Sequence, residues 1–205
     1  MNSILASLKC FSIKLYLKKL KRQRQSSKIS IREKRKMFEE VSKRFKGHKV
    51  PIKKIAANGI PSWLFEYEEN KNKVNPPVVM YLHGGAYAMG SLYSHQSICE
   101  RICTLWNVNV LSIDYRLAPE YPFPAAADDA ISAYLWLTAN YPQSNISIVG
   151  DSAGGGLALS VCKKLIEDKE RKPDSLILFA PWTDLSCNSS NMKANDAKAP
   201  VLSRA

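Results

Sequence analysis

The chain has 205 residues, 45% of them apolar and 23% charged, fractions that exclude wholesale disorder and fit one globular body. Five cysteines (Cys10, Cys99, Cys103, Cys162, Cys187) form no CxxC pair and stand beside only three histidines, which argues against a disulfide framework or a structural zinc site and fits a reducing compartment, the cytoplasm. The net charge of +12 sits at one end: residues 1–54 hold 18 Lys and Arg against 3 acids, whereas residues 55–205 hold 12 against 15, so any affinity for a polyanion belongs to the first 54 residues.

Between Met1 and Ile31 there is no acid, and Lys9, Lys14, Lys18, Lys19, Lys21, Arg22, Arg24 and Lys28 interrupt the apolar residues. The uninterrupted stretches are too short for the apolar run of a signal peptide and far too short for a spanning helix. At 100° per residue the apolar side chains spread around the helix, which favours a solvated basic helix packed on the body. Peripheral contact with an anionic membrane is the alternative, and nucleic acid is the partner least expected. A better-formed helix follows: Ser30 and Glu33 have capping-box spacing, Ile31, Phe38, Val41 and Phe45 share a face, and Gly47 offers an end.

Next, Lys53–Ala57 and Trp63–Tyr67 flank Asn58-Gly59, the turn signal of an antiparallel pair. The polar run Glu68–Pro77 reads as a surface loop. Val78–Leu82 and Val108–Ile113 are apolar throughout, as expected of strands buried on both faces, with a helical stretch around Ser97–Trp106 between them. A helix over Pro124–Asn140, a strand at Ile146–Val149, a helix over Ala153–Asp168 and a strand at Ser175–Phe179 complete the order. Strands alternating with helices predict an α/β fold whose mostly parallel sheet is flanked by helices, with chemistry at the carboxyl ends of the strands.

Two strand ends carry the glycines that such chemistry needs. Gly150-Asp151-Ser152-Ala153-Gly154 has the form GxSxG between a strand and a helix. On so sharp a turn only small neighbours fit, and Ser152 becomes a candidate nucleophile with its hydroxyl above the sheet. His83-Gly84-Gly85-Ala86 leaves another strand, where glycines let backbone N–H groups approach a substrate. The N–H groups of Gly84, Gly85 and Ala153 are the expected donors to an oxyanion. His83 is expected to hold its loop by a hydrogen bond rather than to move protons.

His83-Gly84-Gly85-Ala86-Tyr87, Asp114-Tyr115-Arg116-Leu117-Ala118-Pro119-Glu120 and Gly150-Asp151-Ser152-Ala153-Gly154-Gly155 occur in that order. Together they resemble the hormone-sensitive-lipase-like branch of the α/β-hydrolases over roughly Ile55 to Ala205, with Ala86 where the family often has a further glycine. The resemblance implies an α/β-hydrolase fold and hydrolysis of small carboxylic esters, often of short acyl chains. It implies Ser152 as nucleophile, an oxyanion hole from Gly84, Gly85 and Ala153, and no cofactor or metal. It also implies that the N-terminal residues, 1–54, form a cap over a hydrolase domain at 55–205. Arg116 and Glu120 are expected to pair and fix their loop.

The family places its triad acid and histidine after the nucleophile, whereas His95 is the last histidine here. Asp184 follows the last strand and reads as a loop residue more readily than as a displaced acid. The hydrolase domain is therefore expected to lack its C-terminal strands and helices, and turnover by this chain to be impaired. The alternative function is a non-catalytic remnant whose basic N-terminus binds anionic membrane or nucleic acid.

Overall fold

A computed structural model describes residues 30–43 and 47–195. The basic stretch 1–29, with the first helix expected there, lies outside the described residues, as does Phe45. The chain divides into two compact units, Ile31–Thr183 and a second made of Met1–Ser30 with Asp184–Ala205. Within the second, Asp184 accepts hydrogen bonds from the backbone and hydroxyl of Ser186, and a short helix runs Ser190–Asn195. Asp184 is the loop residue its sequence context suggested.

The larger unit is one sheet with helices on both faces. In chain order it comprises α1 (Ile31–Ser42), β1 (Ile52–Ala57), β2 (Ile60–Phe65), a 3-10 turn (Glu68–Asn70), β3 (Val78–Leu82), α2 (Gln96–Trp106), β4 (Asn109–Ile113), α3 (Ala125–Asn140), β5 (Ile146–Asp151), α4 (Ala153–Glu167) and β6 (Ser175–Phe179). The strand order is β1-β2-β4-β3-β5-β6. The β1–β2 and β2–β4 pairs are antiparallel, and β4, β3, β5 and β6 run parallel.

The strands match the apolar runs because burial on both faces needs an unbroken apolar segment; β3 and β4 are buried at every position. One face packs Met80, Leu82, Leu111, Ile113 and Ile148 against Tyr134 and Leu137 of α3 and Leu157, Val161 and Leu165 of α4. The opposite face packs Phe65, Val79, Tyr81, Val110 and Val149 against Cys99, Ile102 and Cys103 of α2. Helix connections on both faces are what parallel neighbours demand.

Several boundaries differ from the sequence pattern by one or two residues, and two by more. β2 starts at Ile60 rather than Trp63, because Asn58 (φ 49°) and Gly59 (φ 86°) turn the chain in two residues and Ala57 pairs directly with Ile60. Pro61, which has no N–H to give the ladder, hides that early start in the sequence. α1 ends at Ser42, five residues before Gly47.

What positions the site is the register of β3 beside β5. Leu82, the last residue of β3, pairs with Gly150, so His83 leaves the sheet level with Asp151, the last residue of β5, and the two glycine motifs emerge side by side.

Candidate active site

Ser152 sits between β5 and α4 at φ 52°, ψ −116°, in the left-handed region that L side chains seldom occupy. Its backbone is held on both sides: its N–H donates to Phe179 O at 2.9 Å and its carbonyl accepts from Trp182 N at 2.8 Å. The flanking glycines are steric requirements. A Cβ on Gly150 would collide with the Gly154 carbonyl, and one on Gly154 with the Leu82 carbonyl. Ser152 makes no side-chain bond to cap α4, so its hydroxyl stays available, while the N–H of Ala153 opens the helix where the macrodipole is positive.

The loop after β3 folds as a tight turn in which Ala88 N and Met89 N both donate to Gly85 O. Gly85, Ala86, Tyr87 and Gly90 all have positive φ. Gly85 tolerates no side chain, since a Cβ there would meet the Met89 carbonyl. Ala86 takes its left-handed conformation at φ 56° without being glycine.

One expected oxyanion donor is corrected. The N–H of Gly84 points to Asp151 and donates to Oδ1 at 2.8 Å, so it holds the two motifs together rather than facing a substrate. The N–H groups of Gly85, Ala86 and Ala153 have no such acceptor among the described residues.

Behind the nucleophile lies a buried polar cluster. The Asp151 carboxylate also accepts from Tyr81 Oη at 2.7 Å and stands 3.7 Å from His95 Nε2. Burial works to raise the Asp151 pKa, but the His95 ring and the Tyr81 and Gly84 donors outweigh it and hold the carboxyl below its ordinary range. His83 is fully buried, stacked on Tyr115 at 4.2 Å between ring centroids and on His95 at 5.2 Å. Its Nδ1 meets Gly84 O at 2.9 Å. A carbonyl only accepts, so Nδ1 carries the proton and Nε2, which has no partner, is bare. Burial, followed by the neighbouring His95, lowers the His83 pKa to about 3. The ring is a neutral brace for its loop, as its sequence context suggested.

His95 is turned the same way, with Nδ1 at 2.8 Å from Ser94 Oγ and Nε2 towards Asp151. His48 is exposed on a loop. Among the described residues no imidazole bonds to the Ser152 hydroxyl.

The Arg116–Glu120 pair expected from the sequence does not form. Arg116 turns to α3, where its backbone N–H and guanidinium grip the buried Asp129 at 2.7–3.0 Å. Glu120 takes a bidentate ion pair with Arg35 of α1 at 2.7 and 2.9 Å. The sequence reading missed Tyr81, His95, Asp151 and Arg35 as members of the site. Only Asp151 carried a signal, its place inside the GxSxG motif; the others are joined to the site by the tertiary fold. No group of three or more His, Cys, Asp or Glu that could hold a metal occurs among the described residues.

Residues 79–205 match a family model described as α/β-hydrolase fold. An acetyl-hydrolase of Streptomyces hygroscopicus is 36% identical over 128 residues, 62% of this chain and 43% of that protein. An ethyl acetate hydrolase of Pseudomonas putida is 31% identical over 153 residues, 72% of this chain and 45% of that protein. The crystal structure of an esterase from the bacterial hormone-sensitive lipase family superposes with a TM-score of 0.81 at 28% identity, covering 92% of this chain and 63% of the esterase. The chain thus spans under half the length of these two curated relatives. With its fold, its elbow and the order of its three motifs, it belongs to the α/β-hydrolase fold family, in the hormone-sensitive-lipase-like branch of carboxylesterases.

Proposed function

We propose that this chain carries the nucleophile and oxyanion hole of a serine carboxylic ester hydrolase for small-molecule esters of short acyl chains. The observation that carries the reading is Ser152 held at positive φ with its hydroxyl unengaged, beside the unengaged N–H groups of Gly85, Ala86 and Ala153. Ser152 Oγ attacks the ester carbonyl, and the tetrahedral oxyanion accepts hydrogen bonds from those three N–H groups, each worth on the order of 10²-fold or more in rate. The C–O bond to the alcohol breaks to leave an acyl-serine, and water then releases the carboxylic acid and regenerates Ser152.

The proton on Oγ needs an acceptor. His83 and His95 are engaged elsewhere, so in this chain the proton passes to solvent and turnover is slow. A serine enzyme without its base keeps about 10³- to 10⁴-fold over water. The test is p-nitrophenyl acetate with the purified 205-residue chain and its Ser152→Ala variant. Slow release of p-nitrophenolate that Ser152→Ala abolishes is the expected result. Equal rates in both chains would remove the proposal, and rapid Ser152-dependent turnover would return His83 or His95 to the role of base.

We assign residues 1–54 to a basic cap segment and residues 55–205 to the hydrolase domain, in the cytoplasm. Support comes from α1, which bonds to loops at the carboxyl ends of the strands, and from the free thiols of Cys99, Cys103, Cys162 and Cys187. No helix among the described residues is long and apolar enough to cross a membrane. A second reading, peripheral contact of the first 28 residues with anionic membrane, is favoured by the segregation of the positive charge.

A further inference from the structure

The oxyanion loop cannot hold its own shape. Four of its residues, Gly85, Ala86, Tyr87 and Gly90, have positive φ, two of them with side chains, and only two hydrogen bonds close the turn internally. A strained turn persists only when its surroundings over-determine it. The surroundings that do so are the loop after β4, where Ala118 N donates to Tyr87 O at 2.8 Å, and α1, more than forty residues earlier in the chain.

Two residues one helical turn apart on α1 reach the loop. Arg35 Nε donates to Ala88 O at 2.8 Å, within the turn itself. The same guanidinium donates to Ala118 O at 2.9 Å and forks onto Glu120, so one planar group ties the oxyanion loop to the loop after β4. Glu39 accepts from Ser91 Oγ at 2.7 Å, just beyond the turn. From Ser91 the contacts continue inward: Ser91 N donates to Ser94 Oγ, Ser94 Oγ meets His95 Nδ1, His95 faces Asp151, and Asp151 holds Gly84 N. Helix α1 therefore grips the turn at Ala88 and, through that chain, the residue that precedes it.

We infer that Arg35 and Glu39 are positioning residues which set the oxyanion loop in its working conformation, so that docking of α1 assembles the hole. The inference rests on the reading of Gly85 and Ala86 as oxyanion donors. Arginine is required because only a planar fork reaches two carbonyls and a carboxylate together. A lysine would keep the charge opposite Glu120 and lose the guanidinium's hold on both the Ala88 and Ala118 carbonyls, leaving the loops joined by the Ala118 N to Tyr87 O bond alone. Glu39→Gln keeps an acceptor for Ser91 Oγ.

The experiment is hydrogen exchange by mass spectrometry on the full chain and its Arg35→Ala, Arg35→Lys, Glu39→Ala and Glu39→Gln variants, with p-nitrophenyl acetate acylation of Ser152 measured in parallel. In Arg35→Ala and Arg35→Lys, amides of residues 84–91 should exchange about 10- to 100-fold faster while those of β3, β4 and β5 stay unchanged. Glu39→Ala, which removes the acceptor of Ser91 Oγ, should raise exchange at 84–91 likewise, and Glu39→Gln, which keeps an acceptor, should restore it; parent-like exchange in Glu39→Ala would overturn the part given to Glu39. Acylation should fall about 10- to 100-fold in both Arg35 variants, with little change in KM. Unchanged exchange at 84–91, or faster exchange spread evenly over the sheet, would overturn the inference, the latter by making Arg35 a general stabiliser. If the parent chain shows no Ser152-dependent acylation, the proposed function fails on its own count, and exchange at 84–91 still decides whether Arg35 holds the loop.

Discussion

At Gly154 the nucleophile turn passes so close to β3 that a single methyl group has nowhere to go. Gly154→Ala pushes a Cβ into the Leu82 carbonyl, which is backbone and cannot rotate aside. The expected cost is about 2–3 kcal/mol, read as a fall in the urea midpoint with an unchanged m-value. His83 gives a second prediction at the same scale. Its folded pKa is about 3 against an ordinary 6.5, so between those values the unfolded chain binds a proton that the folded chain does not, and stability rises with pH. Stability from this residue is full above 6.5 and drains away as pH falls towards 3, at up to about 1.4 kcal/mol per unit. From pH 5.5 to 4.0 the parent chain should lose about 2 kcal/mol more than His83→Gln. Asp151, whose folded pKa is lowered, adds its loss only below the ordinary carboxylate value of 3.8. Equal pH slopes in the two chains would mean that His83 titrates normally. The turn at Ser152 and Ala153 was legible as an elbow because a strand, a turn and small residues announce one locally, and the glycines after β3 announced a tight loop. The sequence hid the occupation of Gly84 N–H, since that depends on Asp151 arriving from 67 positions away.

Elements were legible wherever burial or turn chemistry writes a local pattern. β3 and β6 match their apolar runs residue for residue, and the β1–β2 hairpin follows from Asn58-Gly59. Strand pairing was less accessible: β2 lies against β4 rather than β3, and apolar runs carry no partner label. The Arg116–Glu120 expectation failed for a related reason, because sequence nearness made them look like partners while α3 and α1 supplied better ones. The hairpin itself can be tested. Gly59 has open space around it, so nothing would clash with a new methyl, yet its φ of 86° disfavours any side chain. Gly59→Ala should cost about 1 kcal/mol through backbone strain alone, visible as a small drop in thermal midpoint. Asn58→Gly tolerates the turn but loses the bond from Asn58 Nδ2 to Ser132 O on α3. It should loosen the contact between hairpin and helix, seen as faster amide exchange in β1 than in β3. A larger loss from Gly59→Ala than from Gly154→Ala would reverse the steric argument at both sites.

Across the whole molecule the charge is segregated: eight Lys and Arg and no acid stand in residues 1–28, while residues 55–205 carry more acids than bases. The excess of positive charge in the first 28 residues gives that segment, more than the rest of the sequence, an attraction to an anionic surface. Each basic residue near an anionic leaflet is worth about 1 kcal/mol, so the eight together suffice for salt-sensitive binding even though their apolar neighbours form no clean stripe for insertion. The full chain should therefore be retained on phosphatidylserine-containing vesicles at low ionic strength and released when salt shortens the screening length to about 3 Å, near 1 M. A full-length variant with those eight residues changed to Gln should be released at much lower salt than the parent chain, and neither chain should bind neutral phosphatidylcholine vesicles. Retention that survives high salt would mean that apolar insertion rather than charge holds the segment. Equal retention on duplex DNA at the same salt would mean that the segment recognises polyanions in general. Absence of the full chain from the vesicle fraction would remove the membrane reading and leave the first 28 residues to the cap alone.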